Sequence, residues 1–470
     1  MNNYDPLIHE IASYVVSDFS PSQYAIDNAA AALLDALGCA LLSREVMKCT
    51  TLIGDDSEAN CGEIRVIGGR RRVDPAKGAF NNSVLVRWLD FNDTFLGLEW
   101  GHPSDNLGAI LSALMLSKKG PLAKDKDGVT ISTLLDSMIR AYEIQGVLSL
   151  SYSLNASGYD HSTYVRISST AVVTHILGGT IQEVQAAISQ AFVDGMSLRC
   201  YRHSPNTGSR KSWAAPDASA RGVTLALLTL AGEEGYPSAL STPKWGFQDT
   251  FCGGETITLA QPLGEYVIRN ILFKIPYPCE YHAQSALEAA IALHDQVRDR
   301  IDEIDKIFIE THDSALKIIS KTGPLNNEAD RDHSLEYIVA VGLTKGSLTY
   351  RDYENESAKI LDLDGIREKM VVSENLNFSL DYLDPTKRSV ANAISVTFKD
   401  HTSTDRIEIQ YPLGHPKRSK DTMMEIVKKF RQNAQGQLSN TKIDQVVELF
   451  NDKDALLSTS LATLFDMLEP

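Results

Sequence analysis

AAAALLDALGCALLS, residues 29–43, is the stretch on which the reading of the fold turns. The run is apolar, rich in alanine and lacks proline, and it is too long for an ordinary strand. It has the length and character of a buried helix. Its alanines would let neighbouring helices approach closely, so the expectation is a helical layer rather than an isolated helix. Residues 141–154, 167–177, 181–196 and 218–234 share this character, and glycine pairs such as Gly178-Gly179 separate some of them. Residues 1–268 therefore read as a large all-helical domain.

The character changes after Gly264. Residues 271–275, 306–311 (KIFIET), 393–398 (AISVTF) and 406–411 (RIEIQY) alternate as short strands do. The last two flank a polar stretch and read as a hairpin. An amphipathic helix over 283–297 lies between the first two. Residues 269–411 are thus predicted to form a smaller α+β domain, and 412–470 turn helical again and return to the first domain. The fold class is mainly α with a smaller, inserted α+β domain. A chain of 470 residues exceeds one typical core, which agrees with more than one domain.

Composition narrows the function. Hydrophobic residues make up 43% and charged residues 23%, an ordinary globular balance. No apolar run approaches the roughly 20 residues that span a membrane. The polar start, residues 1–10, lacks the basic and apolar parts of a signal peptide, so the expected location is the cytoplasm. The net charge of −16 argues against nucleic acid or an anionic membrane as partner. An anionic substrate would then need a local basic patch. The six cysteines, at 39, 49, 61, 200, 252 and 279, include no Cys-x-x-Cys pair. They read as buried thiols of a reducing compartment rather than as cluster ligands. No compact metal-ligand pattern appears, so no metal is expected.

Four stretches could carry chemistry. WLDFNDTFLGLEWGHPSDN (88–106) gathers Asp90, Asp93, Thr94, Glu99, His102 and Asp105 beside two tryptophans. It suits neither helix nor strand, and a polar loop with aromatic anchors is the natural reading. Gly101-His102-Pro103 would present the imidazole rigidly; otherwise His102 caps the next helix or faces water. LRCYRHSPNTGSRKSWAAPDASAR (198–221) holds Arg199, Arg202, His203, Arg210, Lys211 and Arg221 with little acid nearby. Such groups match carboxylates, although a solvated charge run or an RNA contact has the same composition. FKIPYPCEYHAQSALEAA (273–290) sets Lys274 in an apolar run and His282 at a helix start. A buried lysine has its charged form disfavoured and can carry protons, whereas one on an edge strand reaches water. His282 is either a site residue or a capping or surface group. His161 lies just ahead of a helix in Gly158-Tyr159-Asp160-His161. His175, in AVVTHILGG, reads as a core or interface histidine.

Taken together these words resemble the MmgE/PrpD family, in its branch that dehydrates 2-methylcitrate. The matching words are LDFNDTFLGLEWGHPSDNLGAIL (89–111), RHSPNTGSRKSWAAPDASARGV (202–223), LFKIPYPCEYHAQSALEAA (272–290), RDHSLEYIVAV (331–341) and DYLDPTKRSVANAISV (381–396). Five in the same order, spread over most of the chain, are far more specific than any one alone. The resemblance implies a large helical domain with an α+β lid, a homodimer, and a lyase without cofactor acting on a small tricarboxylate. It also implies site positions at Asp90, Thr94, His102, His161, Lys211 and Lys274. Joined with the residues read above, the candidate set is Asp90, His102, His161 and Lys211 as catalytic residues, and Thr94, Arg202, Arg210, Lys274 and His282 as substrate-binding ones. A cis-aconitate decarboxylase of the same family is the alternative enzyme. A non-catalytic polycarboxylate-binding member is the alternative of another class. The length of the 94–102 segment and the pair Arg210-Lys211 favour the dehydratase branch.

Overall fold

The computed structural model describes residues 3–54, 61–117, 128–203, 205–419 and 421–470. The chain divides into two compact units, Met1–Cys200 with Ser212–Ile271 and Met423–Pro470, and Tyr201–Lys211 with Leu272–Thr422. The sequence boundaries stood at 268/269 and 411/412, and the shift has local causes. The Phe273 N–H donates to the Gly414 carbonyl and the Leu413 N–H to the Glu288 carboxylate, so the 412–422 turn stays with the smaller unit. Asn327 donates to the Thr207 carbonyl and Lys211 pairs with Asp332, which ties 201–211 to that unit as well.

In the first unit the run 29–43 lies inside a longer helix, Gln23–Ser43, whose Ser22 hydroxyl accepts the Ala25 N–H as N-cap. At 21 residues and a mean hydropathy of 1.5 it reaches membrane-spanning length, contrary to expectation. Of that window 78% is buried within the protein, so its apolar surface is already covered by other helices. Gly38 shows how closely: a Cβ there would stand 3.3 Å from the Phe430 Cα. The helix Thr422–Ala434, first of the helices after the smaller unit, thus lies directly against Gln23–Ser43. Helices Ile131–Ser151, Ser162–Ile176 and Ile181–Val193 form where apolar runs were read, with ends displaced by up to ten residues. Thr180 and Glu183 make a capping box at the last of these. The basic stretch enters a helix earlier than expected: Arg210–Leu230 is continuous and carries Pro216 inside it.

The smaller unit holds a four-stranded sheet in which Ile304–Thr311 is central. It pairs in parallel with Met370–Glu374 and antiparallel with Asn392–Phe398, which pairs in turn with Ile407–Ile409. The hairpin is where alternation placed it. Alternation also sorts the faces: Ile307 and Ile309 are buried, whereas Phe308 between them is 41% exposed. Helices Gln284–Val297 and Leu335–Lys345 contribute to the buried core that includes Ile307, Ile309, Ile394 and Val396. Residues 271–275 are not a strand of this sheet. All five are buried, so the apparent alternation of Lys274 with apolar neighbours marks no solvent face.

Candidate functional site

The 88–106 loop belongs to the helical unit and folds on itself. Phe95–Leu96 and Trp100–Gly101 pair as a two-residue antiparallel ribbon, and Pro103–Asn106 makes a 3-10 turn. The Thr94 hydroxyl donates to the Gly101 carbonyl at 3.1 Å and pins the ribbon. Asn106 anchors the turn on two helices, donating to Gln145 and accepting from Ser168 and Ser169. Every one of Asp90, Asp93, Thr94, Glu99, His102 and Asp105 is buried. A loop this rich in buried acids persists only where each acid has partners.

Those partners organise two imidazoles. His102 Nδ1 lies 2.6 Å from the Asp93 carbonyl oxygen. A carbonyl can only accept, so Nδ1 carries the proton and Nε2 is the nitrogen that exchanges one. Nε2 stands 3.5 Å from Asp90 Oδ1. His102 does not cap the following turn through its side chain, which removes one of its alternative readings; burial removes the other. Asp90 itself sits at φ 50, a left-handed conformation rare for residues with a Cβ, and its carboxylate is paired with Arg87. The His161 ring centroid is 6.2 Å from that of His102. Gly101 lies beside it, where a Cβ would be 3.6 Å from His161 Cδ2. His161 Nδ1 is 3.7 Å from Asp160 Oδ1, and Arg199 bridges Asp160 and Glu99 at 3.8 and 4.0 Å.

Burial acts strongly on the acids here. It pushes the Asp93 carboxyl up to about 6, although Tyr142 and Ser104 donate to it and pull the other way. It pushes Glu99 up to about 7 against the opposing pull of Arg199 and the Asn155 N–H.

A second group of charged residues lies in the smaller unit. Lys211, Arg210 and Arg202 come from 201–211, and both guanidinium groups lie over the Tyr201 ring, at 5.4 Å for Arg202 and 5.5 Å for Arg210. The expectation that this stretch has little acid near it fails in space. Lys211 is buried and ion-paired with Asp332, and its Nζ is 3.0 Å from His333 Nδ1. Lys274 is 0% exposed, which removes the reading of an edge-strand lysine in water. Burial pushes the Glu280 carboxyl up, but the charges of His282, His333 and Lys274 outweigh it and hold it below the usual carboxylate range. His282 is fully buried, not a surface residue: Nδ1 is 2.7 Å from Glu280 and Nε2 3.1 Å from the Tyr382 hydroxyl. Burial drives the neighbouring His312 well below its ordinary value, which keeps it neutral.

The sequence reading missed Asp332, His333, Glu280, Asp160 and Arg199 as partners of these groups. Asp332 and His333 lie inside the word RDHSLEYIVAV, which was matched without a role for either. His175 ends the helix Ser162–Ile176, where burial lowers its pKa. Among the described residues no three His, Cys, Asp or Glu side chains gather as a metal-holding group, and no disulfide forms.

One unit that is helical and holds paired imidazoles, and one that is α+β and holds buried lysines, define a class of protein, and the match to known families identifies it. Residues 9–260 match the MmgE/PrpD N-terminal domain and residues 277–453 the MmgE/PrpD C-terminal domain, so the chain belongs to the MmgE/PrpD family. Among its relatives, "2-methylcitrate dehydratase" of Escherichia coli (strain K12) is 44% identical over 458 residues, 96% of this chain and 95% of that protein. The "2-methylcitrate dehydratase" of Cupriavidus necator is 45% identical, over 91% of this chain and 90% of that protein. "2-methylcitrate dehydratase, mitochondrial" of Yarrowia lipolytica is 43% identical, over 96% of this chain and 88% of that protein.

Proposed function

We propose that this chain is a hydro-lyase that eliminates water from 2-methylcitrate to give 2-methylaconitate. Similarity over nearly the whole chain to relatives with that activity carries the substrate. The observation that supports the chemistry is His102, whose Nδ1 proton is committed to the Asp93 carbonyl, which makes Nε2 its proton-exchanging atom.

The reaction makes three demands. A base takes the proton beside one carboxylate, and this proton is only weakly acidic because the carboxylate is already negative. That C–H electron pair becomes the double bond as the C–O bond on the next carbon breaks. An acid protonates the departing hydroxide, which leaves as water. We assign His102 and His161 to the base and acid roles, in either order; ring centroids 6.2 Å apart suit attack on neighbouring carbons of one small substrate. Asp90 is assigned to orient the His102 ring from the Nε2 side, while the Asp93 carbonyl holds Nδ1. Lys211, Lys274 and Arg210 are assigned to the substrate carboxylates and to the enolate-like charge that develops. Thr94, Arg202 and His282 complete the proposed set. Action without a metal and a homodimeric state are further parts of the proposal, grounded in the family resemblance, and a cytoplasmic location is another part of it.

The deciding assay offers purified protein 2-methylcitrate, citrate and cis-aconitate, and identifies products by mass spectrometry. The expected outcome is dehydration, fastest with 2-methylcitrate. Itaconate and carbon dioxide from cis-aconitate would make it a decarboxylase. Binding without turnover would make it a polycarboxylate-binding protein.

A further inference from the structure

Lys429 lies more than 300 residues along the chain from the loop of His102, on the helix Thr422–Ala434. It is 2% exposed, and its ammonium does two things at once. It pairs with the buried Asp35 at 2.5 Å and donates to the Phe91 carbonyl at 2.7 Å. It also lies 3.7 Å from the centre of the Phe91 ring. We infer that Lys429 is a positioning residue for proton transfer: by holding Phe91 it fixes the Asp90–Asp93 turn on which the His102 imidazole depends.

Stability alone does not account for an ion pair here. The neighbouring helix positions Ile426 and Phe430 are buried and apolar, and a buried ion pair is generally no better for stability than apolar side chains of similar volume. The carbonyl does account for it. Phe91 follows Asp90, whose left-handed backbone is costly for a residue with a Cβ and persists only where its surroundings hold it. Two residues further on, the Asp93 carbonyl accepts the His102 Nδ1 proton. Between them Asn92 donates to the Ser104 hydroxyl, which donates in turn to Asp93. A shift of the Phe91 carbonyl would therefore move both aspartates that address the two ring nitrogens of His102. The close packing of Thr422–Ala434 on Gln23–Ser43 at Gly38 places the ammonium where it reaches both partners.

This inference rests on the reading of His102 as a proton-transfer group, and the test separates the two. Lys429→Met alone would strand the Asp35 carboxylate, so its loss of stability would be ambiguous. The informative protein is the full chain with Lys429→Met and Asp35→Asn together, which removes both charges. It should unfold near the parental midpoint. Its kcat on 2-methylcitrate should fall by about 10²-fold, the usual effect of misplacing a catalytic group by an ångström, with KM little changed. Amide hydrogen exchange should quicken across 88–106 and stay parental in the rest of the helical unit. Parental exchange in 88–106, or parental kcat beside an inactive His102→Gln control, would overturn the clamp alone. Near-parental turnover in that control would overturn the His102 assignment and the purpose of the clamp with it. Exchange raised throughout the unit would reduce Lys429 to a structural residue.

Discussion

Glu99 offers a test of the electrostatics of the site loop that needs no substrate. Its carboxylate is 0% exposed, accepts the Asn155 N–H at 2.6 Å and has Arg199 at 4.0 Å. Burial dominates these attractions and lifts the carboxyl from an ordinary 4.5 to about 7. At about 1.36 kcal/mol per pH unit, the ionised form costs the fold about 3 kcal/mol. The sign is opposite to that of a well-paired acid. The folded protein holds this proton more tightly than the unfolded chain, so nothing is lost below about pH 4.5. The penalty then grows as pH rises toward about 7 and is constant above it. Glu99→Gln keeps an oxygen for the Asn155 N–H and cannot ionise. Relative to the parent, the variant should gain about 2 to 3 kcal/mol in unfolding free energy between pH 5 and pH 8. The raised carboxyl of Asp93 is common to both proteins and cancels. Urea titrations followed by circular dichroism at several pH values across this range would measure the difference. A difference that does not change with pH, or that moves in the parent's favour as pH rises, refutes the argument from burial.

Three further outcomes are expected. His102→Gln should lower kcat by about 10²- to 10⁴-fold, the usual worth of a general acid or base, with KM changed much less; near-normal turnover would transfer the role to His161. Lys211→Met should raise KM and lower kcat together, because a substrate-bound ammonium acts in the ground state and the transition state alike, and a KM left at the parental value would remove Lys211 from carboxylate binding. Protein dialysed against a strong chelator should retain full dehydration of 2-methylcitrate; loss that added iron or magnesium restores would count against acid–base chemistry by side chains alone.

Much of this molecule was legible as local pattern. The alanine-rich run at 29–43, the later apolar helices and the hairpin strands are all periodicities that a short window contains, because burial of one face is decided residue by residue. The 88–106 loop was legible for the same reason: its mixture of acids, tryptophans and glycine fits no regular element. Which charge meets which was not. Lys211 finds Asp332 and Lys429 finds Asp35 across most of a domain or of the whole chain, and no local spacing records such pairs. The burial of Lys274 and the loss of 271–275 as a strand were equally out of reach. A short apolar stretch is compatible with a sheet edge or with packing against a turn, and only the docking of Phe273 on Gly414 chooses between them. By itself the sequence determined the apolar helices, the hairpin strands and the residue types available for acid–base chemistry. Tertiary structure alone decided the tautomer of His102, the acids beside the lysines and the unit to which 201–211 belongs, because each depends on contacts between segments that the chain order keeps apart.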